Sequence, residues 1–305
     1  MVQDKVGAGE FGQKIALPAV AVGVLAVSAA AIFIRLADAP ALAIAIWRSA
    51  LGVAVLLPFA VYRRERLPRG RPLYIGMASG VALGAHFGFW ISSLDYTSVA
   101  ASVVLVCTQP VFVAILAYLT FGERTSMLSF LGILVALGGT VVIAGGSASF
   151  GEGAFFGNLL ALAGAVTVAV YVLVGRSLRT AFEPVGVLPY SIVVYATAAL
   201  TLVPVALYAG VPLWGYGWEA WFWIWAITLG PQLMGHTVFN WALRYVEASV
   251  ISGTILAEPV VSAILAWIIL FEQPGVATIL GGGVVLVGLF LLLRGRGSGG
   301  VAPVS

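Results

Sequence analysis

The residue with the most chemistry to offer is Glu258. It stands in TILAEPVVSAILAWIILFE, Thr254 to Glu272, an apolar run long enough to cross a bilayer, with Pro259 directly after it. A charged acid at mid-span costs roughly 2.5–3.5 kcal/mol, so it must face the protein interior or water. Protonation would remove most of that cost. Glu258 is therefore a candidate for carrying a proton or receiving a substrate amine. Pro259 offers a second account. It lacks an N–H and breaks the helix, and Glu258 could brace the break by bonding the backbone groups it frees. Both readings stand on the sequence alone.

Other polar residues fall inside apolar runs. His86 and His236 each have aromatic neighbours, Phe89 and Trp90 in one case and Phe239 and Trp241 in the other. Histidine titrates near neutral pH, so either could carry a proton, bond a substrate carboxylate, or simply bond another helix while neutral. Gln109, Tyr171 and Asn240 join His86, Trp90, His236, Trp241 and Glu258 as candidate substrate or coupling residues. Pro110 and Pro259 are the candidate helix breaks. Arg48, in IAIWRSALG, could attract an anionic group, but is read first as snorkelling towards the outer surface or bonding nearby carbonyls. No metal site is expected, because the two histidines are far apart in sequence and Cys107 is the single cysteine. No Walker motif, catalytic Cys/His pair or paired acidic motif appears, so neither an enzyme nor an ATP-driven pump is indicated, and no cofactor is expected.

The elements that hold these residues follow from composition. Of 305 residues 61% are hydrophobic and only 9% charged, and mean hydropathy is +1.08. No water-soluble fold hides that much apolar surface, so the chain is expected to be an integral, all-α membrane protein. Runs of about 20 apolar residues lie near 15–35, 41–62, 73–94, 98–121, 127–146, 154–175, 185–208, 219–243, 249–271 and 276–293, which predicts ten transmembrane helices. With the N-terminus in the cytoplasm, 13 of the 15 basic residues fall on that side, leaving Arg35 outside and Arg48 within the second span. The positive-inside rule thus places both termini in the cytoplasm and reads RRERLPRGR as a topology signal rather than a nucleic-acid site. The cluster WGYGWEAWFWIW reads as an interfacial belt at the outer end of the eighth span. Segments 1–14 and 294–305 read as cytoplasmic tails.

The two halves resemble each other. PVFVAILAYLTFGE from Pro110 aligns with PVVSAILAWIILFE from Pro259, identical at seven of 14 positions. The register continues from Gly132 to Gly281 and from Gly139 to Gly288, and with a small gap His86 aligns with His236. Five spans per half is odd, so segments 15–146 and 154–293 would enter the membrane from opposite sides as inverted five-helix repeats. Inverted repeats let two halves exchange conformations, which is the logic of alternating access. That symmetry, and the lack of a filter motif, weigh against a channel. Gly76, Gly80, Gly84 and Gly88 make a smooth ridge on the third span. GGGVVLVG in the tenth offers another close-packing surface, with a partner chain as one candidate.

The ten spans, the repeat and the stretch EASV…EPVVSAILAW…FE resemble the EamA family of the drug/metabolite transporter superfamily, across about residues 15 to 293. The resemblance implies a cavity lined by spans three, four, eight and nine with parts of one and six, and a scaffold role for five and ten. It also implies export of small metabolites, often amino acids, with aromatic and other neutral amino acids the substrates of one branch. The expectation is a multi-pass inner-membrane exporter working as a monomer or weak homodimer. Its partners are a small-molecule substrate, the lipid bilayer and, as a candidate coupling ion, the proton. The alternatives are an exporter of drugs or other metabolites and a facilitative, channel-like pore.

Overall fold

The computed structural model describes residues 2–97, 99–145, 154–181, 185–271 and 273–295. Among these the chain is helical and contains no strand. Its helices are α1 (Val2–Ser28), α2 (Ala30–Ala37), α3 (Ala41–Tyr62), α4 (Arg71–Ser93), α5 (Val99–Val106), α6 (Gln109–Phe121) and α7 (Met127–Gly145). They continue with α8 (Ala154–Arg179), α9 (Val187–Tyr208), α10 (Trp218–Ile227), α11 (Val238–Ala242), α12 (Ala248–Thr254), α13 (Glu258–Leu270) and α14 (Val276–Gly295). Among the described residues, eight helical stretches are long and apolar enough to cross a membrane, and a further apolar helix, Met127–Ile143, is shorter. Apolar side chains such as Leu119, Leu200 and Ile279 are exposed on the outside, as a lipid-facing surface requires. α1 begins at Val2, within the segment expected to be a tail. Glu272 and the segment after Gly295 lie outside the described residues.

Four of the expected continuous spans are interrupted: the first at Ala29, between α1 and α2, and three others each at a proline. Pro110 stands in the first turn of α6 and cannot donate to the turn before it. The chain tightens there, with Thr108 N–H donating to Leu105 O at 3.1 Å and Val111 N–H to Thr108 O at 3.0 Å. Pro259 holds the same place in α13, after a 3₁₀ turn over Ile255–Ala257. Pro231 lies inside a wide π-helical stretch, Thr228–Thr237, between α10 and α11. Such stretches are rare and cluster at functional sites.

Glycines set the closest packing. The ridge on α4 faces α9: a Cβ on Gly80 would lie 2.6 Å from Val194 O, and one on Gly84 would lie 2.9 Å from Ala198 O. α7 and α14 meet in the same way, Gly132 against the Gly288 carbonyl and Gly139 against that of Gly281, each with room for no side chain. Gly281 and Gly288 of the GGGVVLVG stretch are therefore occupied within the chain, while a Cβ on Gly283 would meet nothing within 4 Å. Cys107 is free and fully buried at the α5–α6 break.

Candidate functional site

The interrupted helices surround one cavity. Its wall takes residues from α1 and α2, α3, α4, the α5–α6 break, α8, the π-helical stretch with α11, and the α12–α13 break. This is the set of spans the family resemblance implies, with α3 added. The space left for the centres of water-sized molecules is about 60 Å³. That is room for a few waters.

Seven of the eight residues picked out from sequence meet at this wall: His86, Trp90, Gln109, Tyr171, His236, Asn240 and Glu258. The eighth, Trp241, is half-buried and packs on Tyr245 with ring centres 5.0 Å apart, away from the cavity. Its neighbour Asn240 takes the inward position on α11, and adjacent helical residues do not share a face. Pro110 and Pro259 are buried directly behind Gln109 and Glu258. The two breaks thus deliver an amide and a carboxylate to one space, each at the start of a helix.

Some of these groups are already engaged. His86 Nδ1 lies 2.9 Å from Gly164 O. A carbonyl only accepts, so Nδ1 carries the hydrogen. The His86 ring lies parallel to Trp90, with centres 6.0 Å apart, and its centre is 6.4 Å from that of His236. Tyr171 donates to Asn240 Oδ1 at 2.6 Å, and Asn240 Nδ2 reaches Ser191 Oγ at 3.5 Å. That pair reads as a bonded strut between α8 and α11.

Other groups have no partner. Buried side-chain atoms without a hydrogen bond among the described residues include Arg48 Nη1 and Nη2, Trp90 Nε1, Gln109 Oε1 and Ser252 Oγ, all on residues of the cavity wall. No hydrogen bond to the Glu258 carboxylate is found among the described residues either. Orphaned polar atoms in a native interior are few. Five of the seven such atoms among the described residues belong to this one wall.

Arg48 corrects a sequence expectation. It does not snorkel: it is 1% exposed and lies on the cavity wall. Its Nε donates to Gln232 Oε1 at 2.8 Å, and its Cζ sits 4.0 Å from the centre of the Phe87 ring. Phe87 and the π-helical Gln232 offer an aromatic face and an acceptor that an arginine seven residues inside α3 finds before it can reach a headgroup. The available signal was the arginine itself, since an intramembrane cation is a functional-site candidate by default. Ser252 and Gln232 carried no such signal.

Two arginines bond backbone carbonyls of residues on or next to the cavity wall. Arg176 Nη2 pairs with Glu123 Oε1 at 3.2 Å, while its Nη1 donates to the carbonyls of Leu243 at 2.5 Å and Val246 at 3.4 Å. Arg179 Nε donates to Asn240 O at 3.0 Å, and its Nη1 to Val185 O. Leu243 and Asn240 are themselves wall residues. A separate hollow of about 450 Å³ lies by the turn between α2 and α3, against Arg35, Asp38 and Asp95. Burial pushes the Asp95 carboxyl above its ordinary range.

The sequence pattern of the EamA-like transporter family matches this chain twice, over residues 14–145 and 155–294. The chain belongs to that family. Among curated relatives, an uncharacterized transporter of Archaeoglobus fulgidus is 28% identical over 66% of this chain and 70% of its own length. The uncharacterized transporter YoaV of Bacillus subtilis is 23% identical over 72% of this chain and 74% of its own. A probable terminal-alkyne amino-acid exporter of Streptantibioticus cattleyicolor is 24% identical over 92% of this chain and 89% of its own. A crystal structure superposes with a TM-score of 0.78 at 22% identity, over 93% of this chain and 99% of the other. At that identity it shows a shared fold. As an EamA-like protein the chain is a multi-pass membrane transporter, not an enzyme.

Proposed function

We propose that this EamA-like transporter exports neutral amino acids, aromatic ones among them, from the cytoplasm by alternating access. The observation that carries this reading is the cluster of unpartnered polar groups around the central cavity, with Gln109 and Glu258 supplied by two matching helix breaks. A cavity with one carboxylate, one guanidinium and flanking aromatic rings complements a zwitterion with an apolar side chain. The Streptantibioticus relative, named a probable amino-acid exporter, agrees with that class.

The architecture behind the proposal is ten spans in two inverted halves, 15–146 and 154–293. Beside the eight long stretches, the helical but interrupted Trp218–Ala242 and the shorter α7 support that count. The double family match supports the repeat, as do the paired breaks at Pro110 and Pro259. So does the contact pattern: exchanging the halves maps the Gly132–Gly288 contact onto Gly281–Gly139, and both contacts exist. In the transport cycle the small cavity opens to alternate sides as the halves rock. The Arg176–Glu123 contact, among basic loops assigned to the cytoplasm, would break when it opens inward. The reading places the protein in the inner membrane with both termini in the cytoplasm.

Purified protein in liposomes should move labelled neutral amino acids with saturable kinetics, measured across an amino-acid panel with and without a pH gradient. Linear, unsaturable flux would mean a pore, and no flux across the panel and a broader set of metabolites would reject the exporter.

A further inference from the structure

We infer that Arg48 is the binding residue for the carboxylate of the transported molecule, so the site selects for molecules that keep one. The inference rests on the transporter reading for its context but on its own geometry for its content. Gln232 takes only Nε, and Phe87 covers the guanidinium carbon at 4.0 Å. Nη1 and Nη2 remain buried and unbonded among the described residues. These are the two nitrogens from which a guanidinium makes a parallel, two-bond contact with a planar carboxylate. The Gln232 backbone lies in the wide π-helical turn, where its carbonyl accepts from the Tyr195 hydroxyl at 3.1 Å, while its side-chain Nε2 is unbonded among the described residues. Gln232 and Phe87 thus engage Nε and one face of the guanidinium and leave Nη1 and Nη2 buried and unbonded among the described residues.

Charge balance names the ligand class. Arg48 is the lone permanent cation and Glu258 the lone carboxylate among the wall residues. A zwitterion leaves that balance unchanged and offers a partner to each. A phosphate would bring extra negative charge with no second permanent cation to receive it. A bare amine would leave the guanidinium buried and unpaired, which a low-dielectric site penalises heavily.

The test uses the full-length protein in detergent and in liposomes. Thermal stabilisation is measured with an amino acid such as leucine, its amide, the matching amine and the matching carboxylic acid, and the same four compete for labelled-leucine flux. The expected result is stabilisation by leucine and the acid, with the amide and amine about 10- to 100-fold weaker. Arg48→Gln should erase the difference, and Arg48→Lys should restore part of it. Amide or amine binding as well as leucine in the wild-type protein overturns the inference, whether or not the variants fold. So does a folded Arg48→Gln that still prefers the carboxylate. Carboxylate-selective binding without flux upholds the Arg48 assignment and rejects the exporter. Saturable flux that ignores the carboxylate does the reverse.

Discussion

Gly139 and Gly281 pack backbone against backbone, so that a Cβ on either would stand 2.6 Å from the other's carbonyl oxygen. Nothing there can move aside, because both contacting atoms belong to helix backbones. Gly281→Val should force α7 and α14 apart and cost about 1–3 kcal/mol. Gly283→Val, whose Cβ would meet nothing within 4 Å, should leave stability unchanged. Thermal unfolding of both variants in one detergent checks the contrast, and equal effects would show that α14 does not pack on α7 by this face.

Gly122 and Phe271 end α6 and α13 at equivalent places, both with left-handed backbones, φ 66° and φ 57°. Glycine accepts that conformation freely, whereas a side chain pays about 1–2 kcal/mol. Phe271 is also 84% exposed, so little packing offsets the strain. Phe271→Gly should raise stability by about 1 kcal/mol after the greater freedom of the unfolded glycine is subtracted. Phe271→Ala keeps the Cβ and hence the strain, and should not. A gain with alanine as large as with glycine would point to the ring rather than the backbone.

Much of this arrangement was legible in the residues. Length, apolarity and paired prolines foretold a helical membrane protein with two breaks, and Gln109 and Glu258 do reach one cavity. Trp241 failed because helix rotation is set by tertiary packing, and Asn240 took the inward face. Arg48 was misread because its fate depended on Phe87 and Gln232, far away in sequence. The π-helical turn that presents Gln232 contains Pro231 and packs against α1, α3 and α10, and a local pattern does not carry that packing.

Arg176 serves three acceptors at once: Glu123 Oε1 and the carbonyls of Leu243 and Val246. A single ammonium cannot span them. Arg176→Lys should therefore cost about 1.5–3 kcal/mol. Glu123→Gln retains an acceptor oxygen for the guanidinium at a partly exposed pair and should cost less than about 1 kcal/mol. Cysteine labelling on the proposed cytoplasmic face should rise in Arg176→Lys if the contact holds that end closed. Identical losses in the two variants would mean that the ion pair, not the carbonyl bonds, supplies the hold.

Glu258→Gln separates the two roles that its sequence setting allowed. The amide has nearly the same shape and keeps an acceptor oxygen, but it cannot ionise. The Glu258 carboxylate makes no hydrogen bond among the described residues, so the substitution breaks none there. Folding yield and thermal stability should stay close to wild type. Exchange of unlabelled for labelled amino acid across the liposome should persist in part. If Glu258 carries the coupling proton, accumulation driven by a pH gradient should disappear and the pH dependence of exchange should flatten, because an amide takes up and releases no proton. Flux assays with and without the gradient, run beside a melting curve, measure all of these. Joint collapse of stability and exchange would return Glu258 to bracing the Pro259 break, whereas unimpaired gradient-driven accumulation would move proton coupling to another group, with His236, also on the cavity wall, the next to change.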